Sequence, residues 1–114
     1  MSGRKAVNRM IYTLEEIKKR ITPVAQKYNV PAMYIFGSYA RGEATEDSDI
    51  DVLFQSEGSK IRGFLVGAFY EDLRESLDKG LDLVDEGVLM QPEARLDTPW
   101  FLESVYNERV KIYG

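Results

Sequence analysis

Apolar residues along this chain follow two different spacings. Short runs rich in β-branched and aromatic residues occur at 33–36, 50–54 and 81–84, and such runs are typical of buried strands. In two longer segments, apolar residues instead recur every three or four positions, which is the spacing of a helix that packs on one side. The pattern therefore predicts an α/β (α+β) fold, with a small mixed β-sheet flanked by helices.

The first helical segment begins at a capping-box pattern. Thr13 and Glu16 are three residues apart, as the reciprocal hydrogen bonds of this motif require. Pro23 lacks a backbone N–H, so we predict a kink or a break into two helices near Thr22. The apolar side, which we expect to face the sheet, consists of Leu14, Ile17, Ile21, Val24 and Tyr28.

A second helix is predicted from Ser59 to Lys79. Because it joins the strands at 50–54 and 81–84, these elements form a β-α-β crossover in a parallel or mixed sheet. We expect its apolar stripe to be core rather than a binding groove. The stripe consists of Ile61, Phe64, Leu65, Phe69, Leu73 and Leu77.

The C-terminal part of the chain is predicted to contain a loop, a helix and a strand. Residues 86–97 include Pro92 and several charges, which favour a loop. Thr98-Pro99 suits the N-cap and first position of a last helix, and residues 110–113 suit a short edge strand. Trp100, the only tryptophan, is either an anchor for a partner or a core residue.

Two aspartates stand at the start of the strand at 50–54. Side chains alternate along a strand, so Asp49 and Asp51 project to one face while Ile50 and Val52 point to the other. Carboxylates held this close repel and raise each other's pKa unless a cation lies between them. Oxygen ligands suit hard divalent ions, so the pair predicts a Mg²⁺ site.

The strand at 33–36 leads directly into Gly37-Ser38. Glycine lets the backbone approach a ligand without a Cβ, and serine offers a hydroxyl and an N–H to a phosphate oxygen. A helix beginning near Ser38 would add its N-terminal N–H groups. Gly42 supplies a flexible exit, and Arg41 a contact to a phosphate or to an acidic partner. A Gly-Ser pair by itself more often forms a plain turn, but its place between two strands and before Asp-x-Asp favours a phosphate site.

Residues 37–52, GSYARGEATEDSDIDV, resemble the motif of the DNA polymerase β-like nucleotidyltransferase superfamily, in the form found in minimal nucleotidyltransferases. The motif is Gly-Ser, about ten residues, then Asp-x-Asp. The matching residues are Gly37, Ser38, Arg41, Gly42, Ser48, Asp49, Ile50 and Asp51. The resemblance implies that the first five of these form the nucleotide- and phosphate-binding part, with Ser48 orienting the turn before the strand rather than reacting itself.

In that superfamily a neighbouring strand supplies a third carboxylate. Asp82 fits this position because it alternates with Leu81 and Leu83 in the run at 81–84. A charged residue inside an apolar run is costly unless it is paired or binds a metal. Asp85 is the alternative, although its place at the end of the run favours a solvated strand end.

The resemblance implies a two-metal mechanism. Two Mg²⁺ ions held by Asp49, Asp51 and Asp82 would clamp the triphosphate, expected to be that of ATP, and lower the pKa of an attacking hydroxyl. The hydroxyl attacks the α-phosphate and pyrophosphate leaves, so that a nucleoside monophosphate, expected to be AMP, is transferred. Whether Asp82 is a metal ligand, the acceptor of the hydroxyl proton, or both stays open.

Minimal nucleotidyltransferases typically occur with a small helical HEPN-domain protein. The resemblance therefore implies a toxin–antitoxin pair, in which this chain is the antitoxin and adenylylates a tyrosine of the HEPN ribonuclease toxin. Two alternatives stay open. One is a non-catalytic module that neutralises a partner by covering it; the other is a small-molecule transferase, such as one that modifies an aminoglycoside.

Length and composition narrow the class of protein. We expect one nucleotidyltransferase domain over residues 1–114, with 1–12 as a flexible or weakly ordered leader. The net charge of −4 argues against long nucleic acid as a partner. The chain has neither cysteine nor histidine, which excludes thiol and imidazole catalysis and leaves carboxylate and hydroxyl chemistry. The sequence shows no membrane span and no signal peptide, so a cytoplasmic location is expected.

Overall fold

The helices and strands alternate along the chain, as the apolar pattern predicts. The computed structural model of the chain describes residues 8–89 and 99–114. The strands are Met33–Phe36 (β1), Ile50–Phe54 (β2), Leu81–Asp85 (β3) and Val110–Tyr113 (β4). The helices are Leu14–Lys27 (α1), Gly37–Arg41 (α2), Leu65–Leu77 (α3), Glu86–Leu89 (α4) and Pro99–Glu108 (α5). The predicted mixed α/β fold is confirmed.

The four strands form one mixed sheet in the order β3-β2-β1-β4. β2 and β3 are parallel and joined by α3, which confirms the predicted crossover, and β4 is an edge strand as predicted. β1 pairs antiparallel with both β2 and β4. In the β2–β3 register, Ile50 lies beside Leu81 and Asp51 beside Asp82. Neighbouring residues of this kind point to the same face of a sheet, so the two aspartates share a face.

Helices cover both faces of the sheet. Val52 belongs to the core beneath α1 and α3, together with Ile17, Ile21, Phe69 and Leu73, which are all fully buried. Leu53, the next residue of β2, belongs to a second cluster on the opposite face with Phe36, Leu89 and Val105. The alternation of side chains along β2 therefore divides the core in two. The two aspartates lie on the face that α5 covers.

Helix α1 keeps its predicted start but not its predicted break. The Thr13 hydroxyl accepts from the N–H of Glu16 at 3.1 Å, and a Glu16 carboxylate oxygen accepts from the N–H of Thr13 at 2.8 Å. The predicted break into two helices near Thr22 is wrong, because the helix runs through Pro23 to Lys27, while the alternative of a kink stays a prediction. Pro23 cannot donate to the carbonyl of Lys19, but both residues are exposed, so water can hydrate that carbonyl. The buried side of the helix stays packed on the core.

Helix α3 is shorter than predicted. It begins at Leu65 instead of Ser59, because the residues before it form turns, with the N–H of Ser59 donating to the carbonyl of Ser56 at 2.9 Å and a positive φ of 58° at Gly63. Ile61 is buried from this loop, whereas Phe64 is 89% exposed. The prediction that the whole apolar stripe is core is therefore wrong at Phe64.

The C-terminal elements differ from prediction in two places. Residues 86–89 form the short helix α4, so the predicted loop is wrong there, and residues 90–97 lie outside the described residues. Helix α5 begins at Pro99 as predicted, while the proposed N-cap, Thr98, lies outside the described residues. Trp100 is 68% exposed, so the core alternative for this side chain is wrong.

Residues 8–12, the described part of the predicted leader, contact the body of the protein. Tyr12 is buried, and its hydroxyl donates to the carbonyl of Leu77 at 2.8 Å. The side-chain amide of Asn8 donates to the Tyr12 hydroxyl at 2.6 Å. Within the described residues, none of the helices has the length and apolarity that crossing a bilayer requires.

Candidate active site

Asp51 of β2 and Asp82 of β3 line one open pocket of about 620 Å³. The N-terminal half of α2 supplies Gly37 and Ser38 to the same pocket, and α2 ends there with Arg41. The opposite wall comes from α5 through Phe101, Ser104, Val105 and Glu108. This volume is typical of sites that bind a small molecule or cofactor. The structure thus brings five of the predicted site residues together.

The electrostatics of this pocket are those of an uncompensated carboxylate cluster. Burial, followed by the charges of Asp82 and then Asp49, raises the pKa of Asp51 from 3.8 to about 6. A protonated Asp51 also shares a hydrogen bond with Asp82, and the lowering effect of Arg41 is the smallest contribution. A carboxylate in this state is stabilised by a cation that binds between it and its neighbours.

Asp49 lies at the edge of this cluster. It is exposed, one residue before β2, and borders a smaller cavity of about 210 Å³ with Ser48, Lys79 and Gly80. Its carboxylate packs so closely on Gly80 that a Cβ there would collide with it. In the part of the chain that the structure describes, no three acidic side chains stand ready to hold one metal together. The predicted three-carboxylate metal set therefore stays a prediction, and the observed close pair is Asp51 and Asp82.

Gly37 is required by two features of its position. Its φ is +71°, in the left-handed region that L side chains rarely adopt. A Cβ on Gly37 would also collide with the carboxylate of Asp51. The close approach lets the junction of β1 and α2 lie directly against Asp51. Because α2 has only five residues, the backbone and hydroxyl of Ser38 contribute more to this site than a helix dipole does.

Arg41 is held at the pocket wall by two carboxylates. Its Nε donates to Glu43 at 2.8 Å, and its Nη1 donates to both carboxylate oxygens of Glu108 at 3.1 Å each. The hydrogen bonding to Glu43 and then to Glu108 raises the pKa of Arg41. Arg41 thus contacts two acidic side chains of its own chain, and its contact to a phosphate stays a prediction.

The other predicted site residues lie outside the main pocket. Gly42 is the exposed C-cap of α2 with a φ of +73°. The Ser48 hydroxyl accepts from the N–H of Thr45 at 2.8 Å, which orders the turn before β2. The rival acid, Asp85, accepts from the Ser56 hydroxyl at 2.8 Å and from the N–H of Gly87 at 2.9 Å. Asp85 therefore anchors the end of β3 within the protein.

Sequence reasoning missed Lys79, Gly80 and the pocket wall formed by α5. Lys79 is only 8% exposed, and its ammonium donates to the carbonyls of Asn8 at 2.9 Å and Glu46 at 3.2 Å. It thus ties the loop that carries Asp49 to the start of β3. The sequence signal was the placement of Lys79-Gly80 directly before the strand of Asp82. No local signal marks Glu108, which lies 67 residues from Arg41.

The mixed sheet presents a Gly-Ser turn and two adjacent strand carboxylates in one pocket. This arrangement is typical of enzymes that transfer phosphorus-containing groups from nucleotides. The carboxylates of the pocket attract cations, and the Gly-Ser turn can donate its N–H groups to phosphates. The chain belongs to the nucleotidyltransferase domain family, whose model matches residues 7–112. It is a nucleotidyltransferase, which confirms the resemblance in the sequence.

Several similar proteins carry more specific names. A protein of Methanocaldococcus jannaschii named "Putative protein adenylyltransferase" is 44% identical over 71 residues, which are 62% of this chain and 75% of that protein. Another of the same name and organism is 38% identical over 86 residues, 70% of this chain and 85% of that protein. Protein adenylyltransferase MntA of Thermococcus cleftensis is 45% identical over 49 residues, 40% of this chain and 50% of that protein.

Solved structures share the fold at low sequence identity. A crystal structure of a toxin-antitoxin with AMP-PNP matches with a TM-score of 0.63 and 20% identity, over 85% of this chain and 73% of that chain. A tri-AMPylated Shewanella oneidensis HEPN toxin in complex with its MNT antitoxin matches with a TM-score of 0.58 and 17% identity, over 89% and 72%. These similarities support the fold class.

Proposed function

We propose that this chain is a Mg²⁺-dependent protein adenylyltransferase of the MntA type that acts as an antitoxin. It moves AMP from ATP to a tyrosine hydroxyl of a partner HEPN toxin. The observation that carries the proposal is the pairing of Asp51 with Asp82 in one pocket with Gly37-Ser38. The names of the similar proteins support protein adenylylation, and the structures that share the fold include a HEPN toxin complex.

The residues of the pocket fit a hard divalent cation. The pKa of Asp51 is raised to about 6 by burial and then by the charges of Asp82 and Asp49, and the donors are all carboxylate oxygens. Asp51 and Asp82 would hold Mg²⁺, with Asp49 adding its carboxylate from the edge. When bound, Mg²⁺ neutralises the triphosphate and lowers the pKa of the attacking hydroxyl.

The protein's own residues position the substrates for an in-line transfer. Gly37 and Ser38 bind phosphate oxygens through the backbone and the hydroxyl, which holds the α-phosphorus in the pocket. The tyrosine oxygen bonds to the α-phosphorus, the bond to the oxygen of the β-phosphate breaks, and pyrophosphate leaves with that oxygen. Asp82 accepts the hydroxyl proton, because it is exposed whereas Asp51 is half-buried.

The proposal is tested with the purified chain and its HEPN-domain partner. Both are incubated with ATP and MgCl₂, and the intact mass of the partner is measured. We expect a gain of one or more AMP groups, lost in Asp51→Asn and lost again when the modified tyrosine becomes phenylalanine. Asp47→Asn is the matched control, because this neighbouring side chain is 88% exposed and lies outside the main pocket.

Two other outcomes would support the alternative functions. Neutralisation of the toxin without a mass change, equally effective in Asp51→Asn, would identify a non-catalytic binding module. Nucleotide-dependent modification of an aminoglycoside with no change of the toxin would identify a small-molecule transferase. Either result contradicts the proposed adenylylation of a protein.

A further inference from the structure

The guanidinium of Arg41 is held at two of its three nitrogens. Glu43 binds its Nε and Glu108 binds its Nη1. Among the residues that the structure describes, Nη2 has no hydrogen-bond partner. Arginine presents its donors in a rigid planar fork, so fixing two nitrogens also fixes the direction of the third. Arg41 lines the pocket with Asp51 and Asp82, and a group with two free N–H donors suits a phosphate oxygen.

The two carboxylates that hold Arg41 differ in their own support. Glu43 follows α2 in an exposed loop, and its side chain is 66% exposed. Glu108 is the last residue of α5, its side chain is 29% exposed, and it lines the pocket itself. Helix α5 is anchored to the sheet through buried Val105 and through the ring of Phe101, which lies 6.2 Å from the ring of Phe36. Glu108 is therefore the rigid partner of the arginine.

We propose that Glu108 is a positioning residue that orients Arg41 toward the triphosphate. This role rests on the proposed function, because it requires a nucleotide in the pocket. Holding a long arginine in its binding conformation before the ligand arrives removes part of the ordering cost of binding. Helix α5 thereby contributes to nucleotide affinity through Arg41, although its glutamate carries the wrong charge to bind phosphate.

Because Glu108 is negatively charged, the effect of removing it on nucleotide binding should depend on whether Arg41 is present. With Arg41 present, the carboxylate is neutralised and orients a phosphate donor. Without Arg41, the same carboxylate stands uncompensated in a pocket that already contains Asp51 and Asp82, and it repels a triphosphate. Removing Glu108 should therefore weaken binding in the native protein and leave it unchanged or improve it in Arg41→Ala. A merely structural role would give the same loss in both backgrounds.

The test is a double-mutant cycle on nucleotide binding. The Kd for AMP-PNP with MgCl₂ is measured by calorimetry for the native chain, Glu108→Ala, Arg41→Ala and the double variant. We expect about tenfold weaker binding for Glu108→Ala in the native background and no loss, or a gain, in the Arg41→Ala background. In transfer assays, Glu108→Ala should raise KM for ATP with kcat changed less than twofold. Glu103→Ala, an exposed glutamate of the same helix, is the control and should leave Kd unchanged.

Three results would overturn the inference. One is an equal loss of affinity in both backgrounds, and the second is no loss in either. The third is absence of AMP-PNP binding by the native chain, which overturns the proposed function as well and is thereby distinguished from the first two. If Glu108→Ala does not fold, Glu108→Gln replaces it in the same cycle, since it keeps the size of the side chain and removes its charge.

Discussion

The burial and the neighbouring carboxylates that suit Asp51 to a cation also destabilise the folded protein when no cation is bound. The pKa of Asp51 is about 6 in the folded state, above its ordinary value of 3.8, mainly because of burial and of Asp82. The folded state therefore binds this proton more tightly than the unfolded state does. Stability contributed by the proton is present below pH 3.8 and is lost as the pH rises through about 6.

We predict that Asp51→Asn stabilises the cation-free protein at neutral pH. The difference between 3.8 and about 6 corresponds to about 3 kcal/mol, which solvent screening of this half-buried side chain reduces to about 1–2 kcal/mol. Urea unfolding in EDTA should show this gain at pH 7, and it should shrink toward pH 4. A gain that is independent of pH, or a loss at pH 7, would contradict the assignment of the raised pKa to Asp51.

Alanine substitutions at Gly37 and Gly63 separate the effect of backbone strain from the effect of a collision with Asp51. Both have positive φ, but only at Gly37 would a Cβ collide with the carboxylate of Asp51; at Gly63 the space is open. We expect alanine at either position to cost about 1–2 kcal/mol of stability. Only Gly37→Ala should also reduce nucleotide transfer, by about 100-fold, because it displaces Asp51. Equal transfer rates for the two variants would show that the close contact is unimportant.

Local patterns were sufficient for some site residues and not for others. Asp51 and Asp82 could be predicted because each alternates with apolar neighbours in a short strand, and β2 and β3 place them side by side. The link from Arg41 to Glu108 could not, because it depends on where α5 packs. The collision of a Cβ at Gly80 with Asp49 likewise depends on pairing between strands.

At the scale of elements, Arg109 connects α5 to the sheet and to α4. Its guanidinium lies between the rings of Tyr34 and Tyr106, 4.2 and 4.1 Å from their centroids. It also pairs with Glu86 at 3.0 Å, and the Tyr106 hydroxyl donates to the same carboxylate oxygen at 2.7 Å. Burial and this hydrogen bond raise the pKa of Tyr106 to about 12. The cluster holds in place the helix that forms one wall of the pocket.

We predict that Arg109→Met lowers the free energy of unfolding by about 1.5–3 kcal/mol. The substitution keeps an apolar stem but removes the cation from two rings and leaves the half-buried Glu86 without its ion-pair partner. The measurement is urea unfolding at pH 7, with Arg62→Met, an exposed arginine, as control. If both variants lose the same small amount, Arg109 does not fasten α5.

The strands were easier to predict than the ends of the helices. The bounds of β1 and β2 match the apolar runs, because a short buried strand has few ways to begin or end. Helix α3 was predicted six residues too long at its start, since Ile61 and Phe64 continue the helical spacing into turns. Pro23 was given too much weight, because the loss of one hydrogen bond on the exposed side of α1 does not outweigh the packing of its buried side.

For the whole molecule, we predict that binding of cation and nucleotide reverses which of two proteins is the more stable, the native chain or Asp51→Asn. At pH 7 without Mg²⁺, Asp51→Asn should unfold at a higher temperature than the native chain, for the reason given above. With MgCl₂ and AMP-PNP at about 100 times Kd, the native chain should gain about 2.7 kcal/mol. Asp51→Asn should gain little, so the order reverses; thermal unfolding followed by circular dichroism measures it. An equal gain in both proteins would place the ligand elsewhere.

The overall architecture followed from the sequence more completely than the pocket did. The crossover between β2 and β3 and the edge position of β4 were predictable from the order of apolar patterns and from topology. The covering of one sheet face by α5 was not, because its weakly amphipathic pattern does not say which face it meets. That packing is what places three residues of α5 in the pocket, Phe101, Ser104 and Glu108.

Transfer of the α-phosphorus is the step that separates this chemistry from phosphorylation. The native chain and the HEPN-domain protein proposed as its partner are incubated with MgCl₂ and ATP labelled either at the α- or at the γ-phosphate, and the label bound to that protein is counted. A nucleotidyltransferase that works through Asp51 and Asp82 incorporates the α label and not the γ label, and Asp51→Asn incorporates neither. Incorporation of the γ label, or of the α label by Asp51→Asn at the native rate, would contradict adenylyl transfer from this site.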